Sequence, residues 1–213
     1  TGGPGMSIAA TIMIGYLLGS FPTGLMVGRL VGIGDVRSYG SGKTGFTNSL
    51  RTMGLRWAAV VLLLDAVKGS IPVLIGQLVF DEPWAAALGG VAAVIGHTWP
   101  VFAGFRGGRG VATAFGAFIA VSPLAALAVL GVGLAVLALF RYVSMMSVVG
   151  VFAGFLAIVG LVLADQAAQP YLLFGLLTMI AVELNHLGNI KRLLAGTEPK
   201  IGQGGQRRDP TGA

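Results

Sequence analysis

The sequence predicts an all-α integral membrane protein with about seven transmembrane helices, one of them short, its N-terminus outside and its C-terminus cytoplasmic. Two observations carry that reading. Hydrophobic residues make up 55% of the chain, charged residues only 10%, and mean hydropathy is +0.85. A soluble domain carries about a quarter charged residues. The apolar residues also fall in long runs between short polar connections, which is how bilayer-crossing helices read.

The runs are Ser7–Val31, Trp57–Phe80, Trp84–Ala103, Val111–Val121, Pro123–Phe140, Ser144–Ala164 and Pro170–Leu184. No basic region precedes the first run, so it is expected to be a retained span and not a cleaved signal. Thr1–Gly5, ahead of Met6, reads as a cloning remnant. The second run follows Arg29, Arg37, Lys43, Arg51 and Arg56 and stops at Asp81-Glu82-Pro83. The third runs from Trp84 to a glycine-rich connection carrying Arg106 and Arg109. Ser122-Pro123 divides the next stretch, because a residue before proline is pushed out of the helical region. One unbroken helix there would also put Arg106 and Arg109 on the opposite side from Arg141. The sixth run starts after Arg141 and ends at Asp165-Gln166. The seventh leads into a tail bearing Lys191, Arg192, Lys200, Arg207 and Arg208. Cationic connections thus alternate with acidic or neutral ones, and the positive-inside rule places the cationic set in the cytoplasm. Residues 6–201 are expected to form one transmembrane domain, and the polar, Gly-rich residues 202–213 to be disordered. At 1.5 Å per residue, Val111–Val121 spans only about 17 Å. The preceding loop is therefore expected to dip into the membrane, where irregular backbone is tolerated only around a cavity or inside protein.

Several classes of chemistry are excluded or disfavoured. There is no cysteine, hence no disulfide and no thiolate nucleophile or ligand. The net charge of +6 follows the ends of apolar runs, so it reads as topology and not as nucleic-acid binding. Two histidines without a His-Glu-x-x-His pattern give no metal site, and no cofactor or obligate protein partner is expected. Gly40-Ser41-Gly42-Lys43-Thr44 brings a nucleotide-binding P-loop to mind, but Arg37 stands where its first glycine belongs and no α/β domain surrounds it.

Three polar stretches between the runs suit phosphate. In Gly40–Arg51, the short polar groups of Ser41, Thr44, Thr47 and Asn48 cluster near Arg51. In Gly104–Gly110, glycines precede a helix start whose free N–H groups suit an anion; a tight turn with two snorkelling arginines weighs about evenly. The third is His186–Arg192. Asp65 and Lys68, three apart within a span, are expected to form a structural ion pair. His97 is expected to be an oriented structural histidine. His186 could simply cap a helix end, and Ser144 and Ser147 a helix start.

Together these stretches resemble the acyl-phosphate:glycerol-3-phosphate acyltransferase family of bacterial phospholipid synthesis, the PlsY family. The matching elements are Gly40–Arg51, Leu64-Asp65-x-x-Lys68-Gly69, Gly96–Phe102 with Phe105–Thr113, Arg141–Ser144, and His186-x-x-Asn189 through Glu198. Lys43, Phe46, Arg109 and Asn185 depart from the residues usual there, which are Asn, Ala, Lys and Arg. The resemblance implies acyl transfer from acyl phosphate to the 1-hydroxyl of sn-glycerol 3-phosphate, giving lysophosphatidic acid and phosphate. It implies a bacterial inner-membrane enzyme, embedded among membrane lipids, with its site facing the cytoplasm. Ser41, His186 and Asn189 are the implied catalytic residues, with His186 or the donor phosphate as base. Gly40, Gly42, Lys43, Asn48, Arg51, Gly107, Gly108, Arg109, Gly110 and Ser144 are the implied substrate and phosphate contacts. A transporter or binding protein for phosphorylated metabolites would share the basic entrance, but transporters often carry an internal repeat and none is visible.

Overall fold

A computed structural model describes residues 3–203. Its described residues form eight α-helices: α1 Pro4–Gly19, α2 Thr23–Leu30, α3 Phe46–Leu74, α4 Pro83–Thr98, α5 Val111–Val121, α6 Pro123–Phe140, α7 Val143–Leu163 and α8 Pro170–Leu194. Six stretches are long and apolar enough to cross a membrane, with α1 and α2 counted together; α5 is the shorter apolar helix.

Helix starts follow proline placement. Pro4, Pro83, Pro123 and Pro170 each open a helix, where the missing N–H costs nothing. Glu82 accepts from the Trp84 N–H and Ser122 from the Ala125 N–H, capping α4 and α6. The expected break at Ser122 is present: that residue is extended, with φ −160°.

Three boundaries differ from the sequence reading. The first run breaks at Ser20–Pro22, since Pro22 cannot continue the hydrogen-bond ladder. Helical structure begins at Phe46, well before Trp57, but Gly54 interrupts it with φ 78° and ψ 175°. The Asn48–Arg51 segment is therefore a separate short rod before the apolar span. The last helix runs ten residues beyond Leu184, so the third motif is helical. Of the predicted tail, Gly202 and Gln203 form a turn in which Gln203 Oε1 accepts from Lys200 N–H, and the remainder lies outside the described residues.

The centre of the bundle is α4, packed on α1, α3, α5 and α8. Its inward positions are small: Ala85, Ala86, Gly89, Gly90, Ala92, Ala93 and Gly96. In a membrane, helices gain nothing from burying apolar surface against one another, so close backbone approach and dispersion must hold them together. Phe118 and Phe174 meet edge to face at 5.0 Å beside this helix. Short α5 packs on α3 and α6, while those two longer helices make no substantial contact with each other. A gap opens there.

Gly54 sits in backbone space that only glycine occupies without strain, so Gly54→Ala should cost about 1–3 kcal/mol. The measurement is the thermal unfolding midpoint in detergent, which should fall; an unchanged midpoint would mean that the break is not required.

Candidate active site

The gap above α5 is a cavity of about 1110 Å³. Its polar end is lined by Gly40, Ser41, Lys43, Asn48 and Arg51 from the first motif, Arg109 and Gly110 from the second, and His186, Asn189 and Arg192 from α8. Ser144 and Glu198 complete that end. Its apolar arm runs between α3 and α6 along Leu55, Leu62, Leu130, Leu134 and Leu137, with Phe115 of α5 beside them. Leu55, Leu62, Leu130 and Leu134 are also exposed, so the arm is a groove open towards lipid and not a closed tunnel.

Asn48 shapes the first motif. Its side-chain oxygen accepts from Ser41 N–H at 2.9 Å, and its amide donates to the carbonyls of Val36 and Lys43, each at 2.9 Å. Both of its N–H donors are thus spent on the loop. Arg37 ties that loop to the second: it pairs with Asp35 at 2.8 Å and donates to the carbonyls of Ala103 and Arg106.

The second motif is built differently from the expectation. Gly107 N–H donates to the Thr98 carbonyl and Gly108 N–H to the His97 carbonyl, both at 3.2 Å. Neither N–H remains for a phosphate, and neither glycine lines the cavity. They are glycines because a Cβ at either position would collide with His97. Gly42 is likewise a turn residue, its N–H bonded to the Tyr39 carbonyl. The anion-facing donors of this region are instead Arg109 and the N-terminus of α5, which Gly110 opens in the left-handed conformation at φ 83°. Arg109 Nε is buried with no protein partner. Burial, with Arg192 and Arg51 nearby, pushes its guanidinium down to about 10 despite Glu198. Burial, with Arg109 and Arg106 nearby, also holds the Lys43 ammonium below the ordinary lysine value.

On α8, His186 is 1% exposed and lies two turns before the helix end, so it caps nothing. Its Nδ1 is 2.7 Å from the Val182 carbonyl. A carbonyl can only accept, so Nδ1 carries the proton, and in the neutral imidazole Nε2 then keeps a lone pair. Asn189 donates to Glu198 Oε1 at 2.6 Å, and Arg192 Nε to Glu198 Oε2 at 2.8 Å. Burial alone would raise the Glu198 carboxyl, but these donors outweigh it and hold it below the usual range. Nor do the serines cap α7. Tyr142 occupies the N-cap, Ser147 bonds back to the Val143 carbonyl, and buried Ser144 Oγ makes no hydrogen bond of good geometry but lies near enough to Glu198 to help hold that carboxyl low.

Behind the cavity, Asp65 is fully buried and accepts from Thr23 Oγ1 at 2.5 Å and from Lys68 Nζ at 2.9 Å. Lys68 also donates to the Phe21 carbonyl at 2.9 Å, and His97 Nδ1 stands 3.4 Å from the same Asp65 oxygen. Asp65 and His97 themselves reach the cavity wall. Glu198 and Arg192 were named by resemblance but not assigned to the site. Nothing local in the sequence marks Glu198, because it returns to Asn189 only through a turn at Gly196, where φ is 71°.

A polytopic helical bundle that gathers cations and an imidazole at the head of a lipid-open groove defines a membrane protein built to handle phosphate beside lipid. The model of the family described as glycerol-3-phosphate acyltransferase matches residues 9–196. A glycerol-3-phosphate acyltransferase of Trichormus variabilis is 43% identical, over 91% of this chain and 92% of the relative. Another, from Parasynechococcus marenigrum, is 42% identical over 90% of this chain and 89% of its own. The crystal structure of PlsY (YgiH), an integral membrane glycerol 3-phosphate acyltransferase, in its glycerol 3-phosphate form, superimposes with a TM-score of 0.85 at 38% identity, covering 92% of this chain and 96% of that one. Its lysophosphatidic acid form gives 0.83 at 37% identity. The chain belongs to the glycerol-3-phosphate acyltransferase family, and it is an integral membrane acyltransferase, not a transporter.

The Asp65–Lys68 pair gives a separable prediction. Asp65→Asn leaves an ammonium buried without its counter-charge and should cost about 3–5 kcal/mol. Adding Lys68→Met should recover much of that loss in the unfolding midpoint. A double variant no more stable than Asp65→Asn would mean that the two charges are not coupled.

Proposed function

We propose that the acyl donor is acyl phosphate and that the site faces the cytoplasm of a bacterial inner membrane. The observation that supports the donor is the cavity's composition: Lys43, Arg51, Arg109 and Arg192 crowd its polar end directly above an apolar groove. An acyl phosphate has that same division, an anionic head on a hydrocarbon tail. Acyl phosphate is already activated, so the enzyme needs neither a covalent intermediate nor a metal. It must align two anions, screen their repulsion and stabilise the developing oxyanion.

In this reading His186 Nε2 accepts a hydrogen bond from the 1-hydroxyl of glycerol 3-phosphate and orients it. The hydroxyl oxygen forms a bond to the acyl carbon, and the bond from that carbon to the phosphate oxygen breaks. The hydroxyl proton ends on the departing phosphate, so the products are lysophosphatidic acid and hydrogen phosphate. Arg51 and Arg109 hold phosphate, with the N–H groups at the start of α5. Ser41 and Ser144 supply hydroxyls at the cavity wall. Asn189 acts through Glu198 and Arg192, and Asn48 acts by holding the loop that presents Ser41.

The test is purified enzyme with acyl phosphate and glycerol 3-phosphate, following phosphate release. Turnover should be fast, should survive exhaustive chelation, and should be absent with acyl-CoA; efficient use of acyl-CoA overturns the donor assignment. Arg109→Ala should cut kcat/KM by roughly tenfold to a hundredfold, the worth of a charge-assisted contact. His186→Ala should lower kcat, and the residual rate should still follow the ionisation of the donor phosphate.

Orientation is read separately, in a chain with no native cysteine. A cysteine at exposed Lys191 should resist an impermeant thiol reagent added to intact cells, and one at exposed Asp81 should react. Labelling of both from outside would sink the cytoplasmic site.

A further inference from the structure

Lys43 is the cation whose surroundings are least explained by the protein itself. It lines the cavity and is half-buried. Among the described residues it has no acidic partner: Asp35 pairs with Arg37, Asp65 with Lys68, and Glu198 with Arg192. Its charged neighbours are Arg109 and Arg106 from the second motif, with His186 facing it from α8. A half-buried ammonium beside two guanidiniums is repelled when the site is empty. An anion among them offsets that repulsion, and a doubly charged one offsets it more than a singly charged one.

The cations divide into two groups. Arg51 and Arg192 flank Glu198, and Arg51 lies just across the Gly54 break from Leu55, where the apolar arm begins. Lys43 has a different neighbour, Arg106, whose side chain is exposed. Arg109 is common to both. An anion carrying a hydrocarbon tail laid in the arm has Arg51, four residues before Leu55 at the start of that arm's wall, as the cation nearest in the chain. A small polar anion needs no apolar arm, and exposed Arg106 beside Lys43 offers it an attractive entry from water.

We propose that Lys43 is a specificity-determining residue for the acceptor: the phosphate of sn-glycerol 3-phosphate docks between Lys43 and Arg109, while the donor's phosphate lies towards Arg51. The proposal rests on the acyl phosphate reading for the identity of the second anion only. It separates two multiply charged groups across the cavity, so that the acceptor's far hydroxyl, and not its phosphate, is turned to the donor carbonyl beside His186.

The experiment compares wild type, Lys43→Met and Lys43→Arg in lipid nanodiscs. Equilibrium binding of glycerol 3-phosphate, with no donor present, should weaken roughly tenfold to a hundredfold in Lys43→Met, the loss of a charge-assisted contact. It should recover to within a few-fold in Lys43→Arg. The ionic-strength dependence of that binding should flatten in Lys43→Met, because one screened cation is gone. A loop merely misfolded by the substitution would not show that flattening. In turnover, KM for glycerol 3-phosphate should rise while KM for acyl phosphate stays within about twofold. Unchanged glycerol 3-phosphate binding in Lys43→Met, or a rise in KM confined to the donor, overturns the proposal. If wild type fails to use acyl phosphate but Lys43→Met still loses acceptor binding, the donor reading falls and the role of Lys43 stands.

Discussion

The buried pair of Asp65 and Lys68 is the constraint around which the rest of the protein is arranged. A carboxylate in a lipid-embedded bundle is costly unless its charge is met, and at Asp65 every partner gathers on Oδ1 while buried Oδ2 has none. Lys68 meets the charge, and Thr23 and His97 crowd the same oxygen. Each partner brings a separate piece of chain. Thr23 opens α2, Lys68 reaches the Phe21 carbonyl left by the break between α1 and α2, and His97 ends α4. The ion pair thus fixes three segments at one point. From that point the second motif is hung, because the carbonyls of His97 and Thr98 receive the N–H groups of Gly108 and Gly107. The pair is the structural ion pair expected from its spacing, and it holds the loop that carries Arg109.

That arrangement also explains how irregular backbone survives near the membrane. The second loop satisfies itself on the end of α4 and through Arg37, which donates to the carbonyls of Ala103 and Arg106. What it leaves unsatisfied is Arg109 Nε and the start of α5, both directed at the cavity. The shortness of α5 matters for the same reason. Eleven helical residues reach only part of the way across a bilayer, so the helix can start below the polar end of its neighbours and leave room above it. The groove between α3 and α6 is the space that a full-length helix would have filled.

Much of this was legible in the sequence. Hydropathy marked every apolar segment, and Ser122-Pro123 placed the division between α5 and α6 at the residue where it falls. Boundaries failed where a polar, helix-compatible stretch adjoined an apolar one. Phe46–Met53 and Asn185–Leu194 are helical but not hydrophobic, so a hydropathy reading stops short of both. The gathering of three motifs at one cavity was expected from their phosphate-like composition, while the division of labour within them was not. Which N–H groups of Gly107–Gly110 stay free depends on the carbonyls of α4, thirteen or fewer residues away but on another element. Glu198 was invisible as a site residue because its link to Asn189 depends on a left-handed turn at Gly196.

The electrostatics of the empty cavity argue for what fills it. Each carboxylate at its wall is already committed, Asp65 to Lys68 and Glu198 to Arg192. Arg51 and Arg109 share the Glu198 carboxylate with Arg192, and Lys43 has no acidic partner among the described residues, so cations outnumber carboxylates at this end; burial lowers the proton affinity of Lys43 and Arg109. Cations so placed destabilise the unliganded state, and the binding of phosphate relieves that strain. Arginine at position 109 suits this better than lysine would, since guanidinium stays charged through a shift that would begin to discharge an amine. Lys43, with the weaker hold on its proton, is only half-buried, so water still helps it keep its charge until an anion arrives.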